Sequence, residues 1–359
     1  MATLTETITS LAQPFVHLED TINSPPVKET IRPRNDTTIT PPPTQWSYLC
    51  HPRVKEVQDE VDGYFLENWK FPSFKAVRTF LGAKFSEVTC LYFPLALDDR
   101  IHFACRLLTV LFLIDDVLEH MSFADGEAYN NRLIPISRGD VLPDRTKPEE
   151  FILYDLWESM RAHDAELANE VLEPTFVFMR AQTDRARLTI HELGHYLEYR
   201  EKDVGKAYVF SPRIRARDAD RSARLLSALM RFSMGLRFSA DELQGMKALE
   251  ANCAKQLSVV NDIYSYDKEE EASRTGHKEG AFLCSAVKVL AEESKLGIPA
   301  TKRVLWSMTR EWETVHDEIV AEKIASPDGC SEAAKAYMKG LEYQMSGNEQ
   351  WSKTTRRYN

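Results

Sequence analysis

One stretch of the chain reads Cys253-Ala-Lys-Gln-Leu-Ser-Val-Val-Asn-Asp-Ile-Tyr-Ser-Tyr-Asp-Lys-Glu269. Asn261, Ser265 and Glu269 are spaced four residues apart, so all three lie on one face if the stretch is helical. Each of them offers an oxygen atom, and the residues before them are largely apolar. The pattern predicts a helix whose apolar part is buried and whose polar part presents three oxygen ligands. A solvated polar face that runs into the acidic residues 269–271 is the alternative.

A second stretch joins an apolar helical run to acidic residues in the same way. It reads Leu107-Leu-Thr-Val-Leu-Phe-Leu-Ile-Asp-Asp-Val-Leu-Glu119. Asp115 and Glu119 are one helical turn apart, and Asp116 is adjacent. Three carboxylates at the end of an apolar helix need a counter-charge, and oxygen ligands suit Mg²⁺. A solvated helix end is the alternative here, as we infer for Asp98-Asp99, where no apolar run leads in.

Helical periodicity continues through most of the chain, with breakers between the periodic segments. We find no convincing alternating strand pattern, no internal repeat and no glycine-rich phosphate loop. The sequence therefore predicts an all-α protein, in which two separate helices bring oxygen ligands to the mouth of an apolar pocket. The periodic segments include 149–169, 172–200, 225–237, 241–270, 280–295, 300–323 and 331–346.

The composition narrows the class of protein. The 359 residues are 43% hydrophobic and 10% aromatic, which is enough for a large core and an aromatic-lined cavity. The net charge of −10 makes nucleic acid an unsuitable partner. Six scattered cysteines without a Cys-x-x-Cys pair indicate reduced thiols. We see neither a signal peptide nor a run of apolar residues long enough to cross a membrane, and therefore expect a cytoplasmic protein.

Two segments depart from the helical pattern. Residues 1–44 are rich in Thr, Ser and Pro and are predicted to be a disordered leader before a single α-helical domain, 45–359. Residues 208–224 carry five arginines and a proline between two helical stretches. Removing them restores one uninterrupted helical pattern, so we interpret them as an insertion. Codon degeneracy permits their 51 nucleotides to be a translated intron.

The two acidic stretches resemble a known family. The first is similar to the aspartate-rich motif of class I terpene synthases, and the second matches that family's Asn-Asp-x-x-Ser-x-x-x-Glu motif at every defined position. Apart from 208–224, the chain from about residue 45 onward is similar to the fungal members that form aristolochene. The resemblance implies a helical bundle around an apolar active-site cavity. It also implies the substrate, farnesyl diphosphate, and a bicyclic sesquiterpene, aristolochene, as the product.

The same resemblance implies roles for particular residues. Three Mg²⁺ ions, for which Mn²⁺ is a possible substitute, would hold the diphosphate. Asp115, supported by Asp116 and Glu119, would bind two ions, and Asn261, Ser265 and Glu269 would bind the third. The residues at the family's diphosphate-binding positions are Arg200, Lys268, Arg357 and Tyr358. The aromatic residues at its cavity-lining positions are Tyr92, Phe112, Phe178 and Trp351. A homodimer is a further possibility.

Two other functions compete with this interpretation. His191-Glu-Leu-Gly-His195 is a His-Glu-x-x-His pattern, which on a helix would place two histidines on one face for Zn²⁺, as in metalloproteases. The extended form of that motif requires a glycine and a histidine where this chain has Glu198 and Glu201. An inactive homologue is the other alternative, because the insertion interrupts a helix expected to line the cavity.

Overall fold

A computed structural model describes residues 39–203, 225–326 and 329–358. Within those ranges the regular secondary structure is helical throughout, which confirms the predicted all-α class. The helices are α1 (Val54–Asn68), α2 (Phe74–Ala83), α3 (Phe85–Tyr92), α4 (Ile101–Leu118), α5 (Phe123–Arg138), α6 (Pro148–His163), α7 (Ala165–Ala181), a 3-10 helix (Arg185–Thr189), α8 (Leu193–Asp203), α9 (Leu225–Met234), α10 (Ala240–Thr275), α11 (Ala286–Ser294), α12 (Ile298–Ile324) and α13 (Glu332–Thr354). No described helix is long and apolar enough to cross a membrane.

The long helix α10 shows how local sequence sets an element. A capping box begins it: the Ser239 hydroxyl accepts from the Glu242 amide, and the Glu242 carboxylate accepts from the Ser239 amide. Its buried positions run from Met246 to Tyr266 and stop there, so the helix changes from core to surface within the polar motif. The helix ends at Thr275, and the amide of Gly276 donates to the carbonyl of Ala272.

Seven helices form a closed ring of neighbours. In order around the ring they are α4, α3, α13, α10, α8, α7 and α9, and α9 packs in turn against α4. A glycine permits one of these close approaches, because a Cβ at Gly347 of α13 would lie 2.6 Å from the carbonyl oxygen of Leu91 in α3. The ring places α4 and α10, which carry the two motifs, on different sides of the space that it encloses.

The remaining helices pack outside the ring. On the far side of α10, a second apolar cluster joins Val260 to Val287 of α11 and to Trp306 of α12. Residues 39–46, most of which belong to the predicted leader, run along α12. The Arg310 guanidinium donates to the Pro42 carbonyl, and the Thr44 hydroxyl donates to Glu313 at 2.6 Å. Residues 1–38 and 208–224 lie outside the described ranges, so the predicted leader up to residue 38 and the predicted insertion carry no structural description.

Candidate active site

The ring of helices encloses a cavity of about 270 Å³. Its apolar wall contains all four aromatic residues that the sequence singled out, one each from α3, α4, α7 and α13: Tyr92, Phe112, Phe178 and Trp351. Leucines complete this wall, at positions 108, 111, 118, 225, 226, 257 and 283. Its polar residues come mainly from the two motifs and their neighbours. The cavity therefore combines a hydrocarbon-sized apolar space with a polar end.

The acidic cluster lies where α4 ends. One oxygen each from Asp115, Asp116 and Glu119 lies within 4.8 Å of the others, and no other such group of potential metal-ligating side chains occurs in the described ranges. Burial, together with the charges of Glu119 and Asp116, raises the pKa of Asp115 to about 7, although Arg357 and Lys268 oppose the shift. Crowded carboxylates of this kind attract a divalent cation.

The second motif lies on α10, and only some of its side chains face the cavity. Asn261 and Glu269 line the cavity, and the Asn261 amide donates to the Tyr358 hydroxyl at 2.6 Å. Ser265 is buried between them, and its hydroxyl has no hydrogen-bond partner among the described residues. A buried hydroxyl without a partner is costly in a folded protein. A metal ligand bond would satisfy this oxygen.

The four residues predicted to bind diphosphate all contact residues of the two motifs. Arg357 donates to both carboxylate oxygens of Asp116, at 2.8 and 3.3 Å. The Lys268 ammonium donates to Glu119 at 3.3 Å. Arg200 lies 3.6 Å from the Asp262 carboxylate, and Tyr358 contacts Asn261 as described above. The positive and negative groups of the site thus balance one another across the end of the cavity.

Stacked rings support the buried Arg357 guanidinium. Phe85 and Phe112 stack with centroids 4.5 Å apart, and the Arg357 guanidinium carbon lies 5.3 and 5.7 Å from their respective centroids. Phe112 is therefore shared between the apolar cavity and the charged end. This arrangement holds the Arg357 guanidinium beside Asp116 and away from solvent.

The donor set fits Mg²⁺. Both motifs supply oxygen atoms, the α4 cluster supplies negative charge, and Ser265 supplies an oxygen that no group in the described part of the chain satisfies. Hard oxygen ligands, with positions left for water or phosphate oxygens, are what Mg²⁺ prefers. The sequence-predicted metal ligands are thus brought to the polar end of the cavity from two helices that are far apart in the chain.

Comparison with known proteins agrees with this geometry. Residues 106–314 match the model of terpene synthase family 2, C-terminal metal binding, a segment that contains both motifs. The chain is 95% identical to the aristolochene synthase prx2 of Penicillium rubens over 359 residues, which is all of both chains. It is 60% identical to the aristolochene synthase of Aspergillus terreus over 322 residues, or 90% of this chain and 95% of that one.

The chain belongs to the fungal class I terpene synthases. The crystal structure of aristolochene synthase from Penicillium roqueforti superposes with a TM-score of 0.76 at 90% identity, covering 88% of this chain and 100% of that chain. Wild-type cucumene synthase, at 14% identity and a TM-score of 0.65 over 87% of this chain and 99% of that one, shares the fold. As a lyase of this family, the terpene synthase depends on a divalent metal ion.

The metalloprotease alternative is wrong for this terpene synthase. His191 and Glu192 precede α8, which begins at Leu193, so the His-Glu-x-x-His pattern does not lie on one helix. His191, Glu192 and His195 are exposed, and they belong to no group of potential metal ligands in the part of the chain that the structure describes. The pattern is a helix start whose polar residues face solvent.

Several residues of the terpene synthase site were not predicted. Asp262 lines the cavity, and its carboxylate accepts from the Tyr196 hydroxyl and from the Ala286 amide at 2.6 Å. Burial raises the pKa of Asp262 to about 7, although the Arg200 charge opposes the shift. Asp262 thereby links α8, α10 and the start of α11. The position of Asp262 inside the second motif was the sequence signal that could have identified it.

Polar residues of the cavity wall were also missed. The Tyr92 hydroxyl donates to Asn348 at 2.8 Å, and the Asn348 amide donates to the Leu257 carbonyl at 3.1 Å, which ties α3, α13 and α10 together. Gln182 donates to Asp115 at 2.9 Å. Arg187 lines the cavity and donates to the carbonyls of Gln182 and Phe282. Asn348, Gln182 and Arg187 stand in no motif that would have singled them out.

Proposed function

We propose that this terpene synthase converts (2E,6E)-farnesyl diphosphate into aristolochene and diphosphate. The observation that carries the proposal is the meeting of two oxygen-ligand motifs at the polar end of a cavity that holds Tyr92, Phe112, Phe178 and Trp351. Near-identity to aristolochene synthases over the whole chain supports the choice of product. The proposal assigns the charged end to the diphosphate and the apolar space to the prenyl chain.

At the charged end, we assign three Mg²⁺ ions to the two motifs, with Mn²⁺ as a substitute. Asp115, with Asp116 and Glu119, would hold two ions, and Asn261, Ser265 and Glu269 would hold the third. Bound ions supply the positive charge that stabilises a leaving diphosphate. Arg357 and Lys268 lie beside the acidic cluster and Arg200 beside Asp262, and each would bind phosphate oxygens of the substrate.

In the apolar space, the chain's own residues steer a carbocation and exclude water. Aromatic faces stabilise a nearby cation by about 1–2 kcal/mol each when they are desolvated. Phe112 and Phe178 come from different helices of the ring, so they would act from different sides of the prenyl chain. Leucine side chains between them provide no nucleophile. The Tyr92 hydroxyl is held by Asn348, which keeps its oxygen at a fixed position in the wall.

Two further parts of the proposal are the cellular compartment and the oligomeric state. We assign the enzyme to the cytoplasm, which the six free cysteines support because a reducing compartment keeps thiols unpaired. We also assign it a homodimeric state. Sedimentation of the purified enzyme would test this assignment, and a monomer at micromolar concentration would contradict it.

Incubation with farnesyl diphosphate and Mg²⁺, followed by mass spectrometry of the extracted hydrocarbons, tests the function. We expect aristolochene as the main product, and no hydrocarbon when a chelator replaces Mg²⁺. Boiled enzyme is the control for spontaneous solvolysis, which yields alcohols. A different main hydrocarbon would overturn the product assignment, and the absence of any metal-dependent hydrocarbon would overturn the enzyme assignment.

The segment 208–224 provides a separate test. Excising it joins Ala207 to Leu225 and restores the helical pattern expected between α8 and α9. We predict that the shortened chain turns over farnesyl diphosphate faster than the full chain, because α8 carries Arg200 and α9 carries two cavity leucines. Equal rates would show that the segment does not disturb the cavity, and sequencing the cDNA would show whether the transcript retains the 51 nucleotides.

A further inference from the structure

Gln182 contacts the metal end of the site from outside both motifs. It is the residue that follows α7, and its side chain lines the cavity. Its amide nitrogen Nε2 donates to Oδ1 of Asp115 at 2.9 Å, a contact that joins residues 67 positions apart. Because an ionised carboxylate only accepts hydrogen bonds, the amide must turn its nitrogen toward Asp115.

The other end of the same amide is unsatisfied. Gln182 is 9% exposed, and its oxygen Oε1 has no hydrogen-bond partner in the described ranges. Buried polar atoms are almost always paired with protein or ordered water, so this oxygen points to a donor that comes with the bound state. Water in the shell of a Mg²⁺ ion is such a donor, and Mg²⁺ usually keeps several of its waters.

Neighbouring groups hold the Gln182 backbone in place. The Arg187 guanidinium donates to the Gln182 carbonyl at 3.1 Å and to the Phe282 carbonyl at 3.2 Å. The Tyr199 hydroxyl of α8 donates to the Ala181 carbonyl at 3.1 Å. The end of α7 is thus connected to α8 and to the segment after α10. Because its backbone is held in this way, Gln182 can determine the orientation of the Asp115 carboxylate.

We propose that Gln182 is a positioning residue of the metal site, an inference that rests on the proposed function. Nε2 holds the Asp115 carboxylate in the orientation that ligates Mg²⁺, and Oε1 accepts a hydrogen bond from a metal-bound water. Hydrogen-bonding partners of metal ligands raise metal affinity by about 10–100-fold. Gln182 therefore sets the Mg²⁺ concentration at which the site forms, and it does not contact the reacting carbon atoms.

The test compares Gln182→Met with Gln256→Met. Gln256 is a fully buried glutamine of α10 that does not line the cavity, so its replacement removes a buried amide elsewhere in the fold. Melting temperature would be measured against Mg²⁺ concentration in the presence of inorganic diphosphate. We expect Gln182→Met to raise the Mg²⁺ midpoint about 10–100-fold, and Gln256→Met to leave it within about twofold. Without Mg²⁺, Gln182→Met should fold normally.

Two results would overturn the proposal: a Gln182→Met midpoint within about twofold of wild type, or an equal shift in Gln256→Met. If the Met variant does not fold, Gln182→Asn keeps the amide but shortens its reach, and an unshifted midpoint there overturns the proposal as well. Inorganic diphosphate replaces the prenyl substrate in this assay. A Gln182-dependent midpoint without any hydrocarbon product would therefore contradict the proposed function and leave the positioning role intact.

Discussion

The two metal-binding motifs differ in the charge and the burial of the oxygen ligands that they offer. At the end of α4, three carboxylates lie together and depend on Arg357 and Lys268 for compensation. On α10, Asn261 and Ser265 are neutral, and the buried Ser265 hydroxyl has no partner among the residues that the structure describes. The α4 site is rich in charge, and Asp115 lies inside the cavity, where the 42% of its side chain that is accessible faces the enclosed space. The α10 site carries less charge, and its ligands lie within the helix and not at its end. In the proposed function, the carboxylates of α4 would attract cations and the neutral ligands of α10 would position them.

The largest expected effect separates two adjacent acids of the α4 site. Asp115 lines the cavity and accepts a hydrogen bond from Gln182. Asp116 does not line the cavity, and it pairs with Arg357. Because Asp115 faces the cavity and the charge of Asp116 is compensated by Arg357, Asp115→Asn should lower kcat/KM by about 10²–10³-fold, the size of effect seen when one electrostatic catalytic group is removed. Asp116→Asn, the matched control, should lower kcat/KM less than tenfold. Steady-state kinetics at saturating Mg²⁺ would check both values, and equal losses would contradict the division of roles.

An intermediate effect is expected on α10. Ser265→Ala removes a hydroxyl that no described protein group contacts, so the melting temperature without Mg²⁺ should stay the same or rise. Loss of a metal ligand should nevertheless raise the Mg²⁺ midpoint by at least the 10–100-fold typical of supporting residues. Calorimetric titration of Mg²⁺ with inorganic diphosphate would measure it. A variant that melts lower but binds Mg²⁺ normally would show that Ser265 is structural.

The smallest expected effect is the contribution of Asp115 to the pH dependence of stability and of Mg²⁺ binding. Burial raises the pKa of Asp115 to about 7, so between about pH 4 and pH 7 the folded state binds more protons than the unfolded state. Stability without Mg²⁺ should therefore fall as pH rises through that window. Bound Mg²⁺ requires the ionised carboxylate, so the Mg²⁺ midpoint should rise up to about tenfold per pH unit below pH 7.

Asp115→Asn isolates this contribution, because it removes the titrating group but keeps a side chain of similar size. Melting curves at pH 6 and pH 8, with and without Mg²⁺ and inorganic diphosphate, would show whether the wild-type pH dependence disappears in the variant. An unchanged pH dependence would assign it to Asp262, whose pKa burial also raises to about 7.

The family and the fold class could be predicted from the sequence because motif spacing and helical periodicity are local patterns. A spacing of four residues in Asn261, Ser265 and Glu269 matches the helical period, and the apolar run before Asp115 specifies a buried helix. The His-Glu-x-x-His pattern stayed an alternative because helix periodicity alone does not show where α8 begins. It begins at Leu193, two residues after the first histidine.

By itself, the sequence determined the helical class, the family and the helix faces on which the motif oxygens lie, but the segment 172–200, predicted as one helical stretch, is divided into α7, a 3-10 helix and α8. Only the tertiary structure decided the partners that these groups meet. Gln182 reaches Asp115 across 67 residues, Lys268 reaches Glu119 across 149, and Arg357 reaches Asp116 across 241. Periodicity relates residues within a few turns of one helix. Contacts between helices depend on how the ring of α3, α4, α7, α8, α9, α10 and α13 closes, and no local pattern encodes that closure.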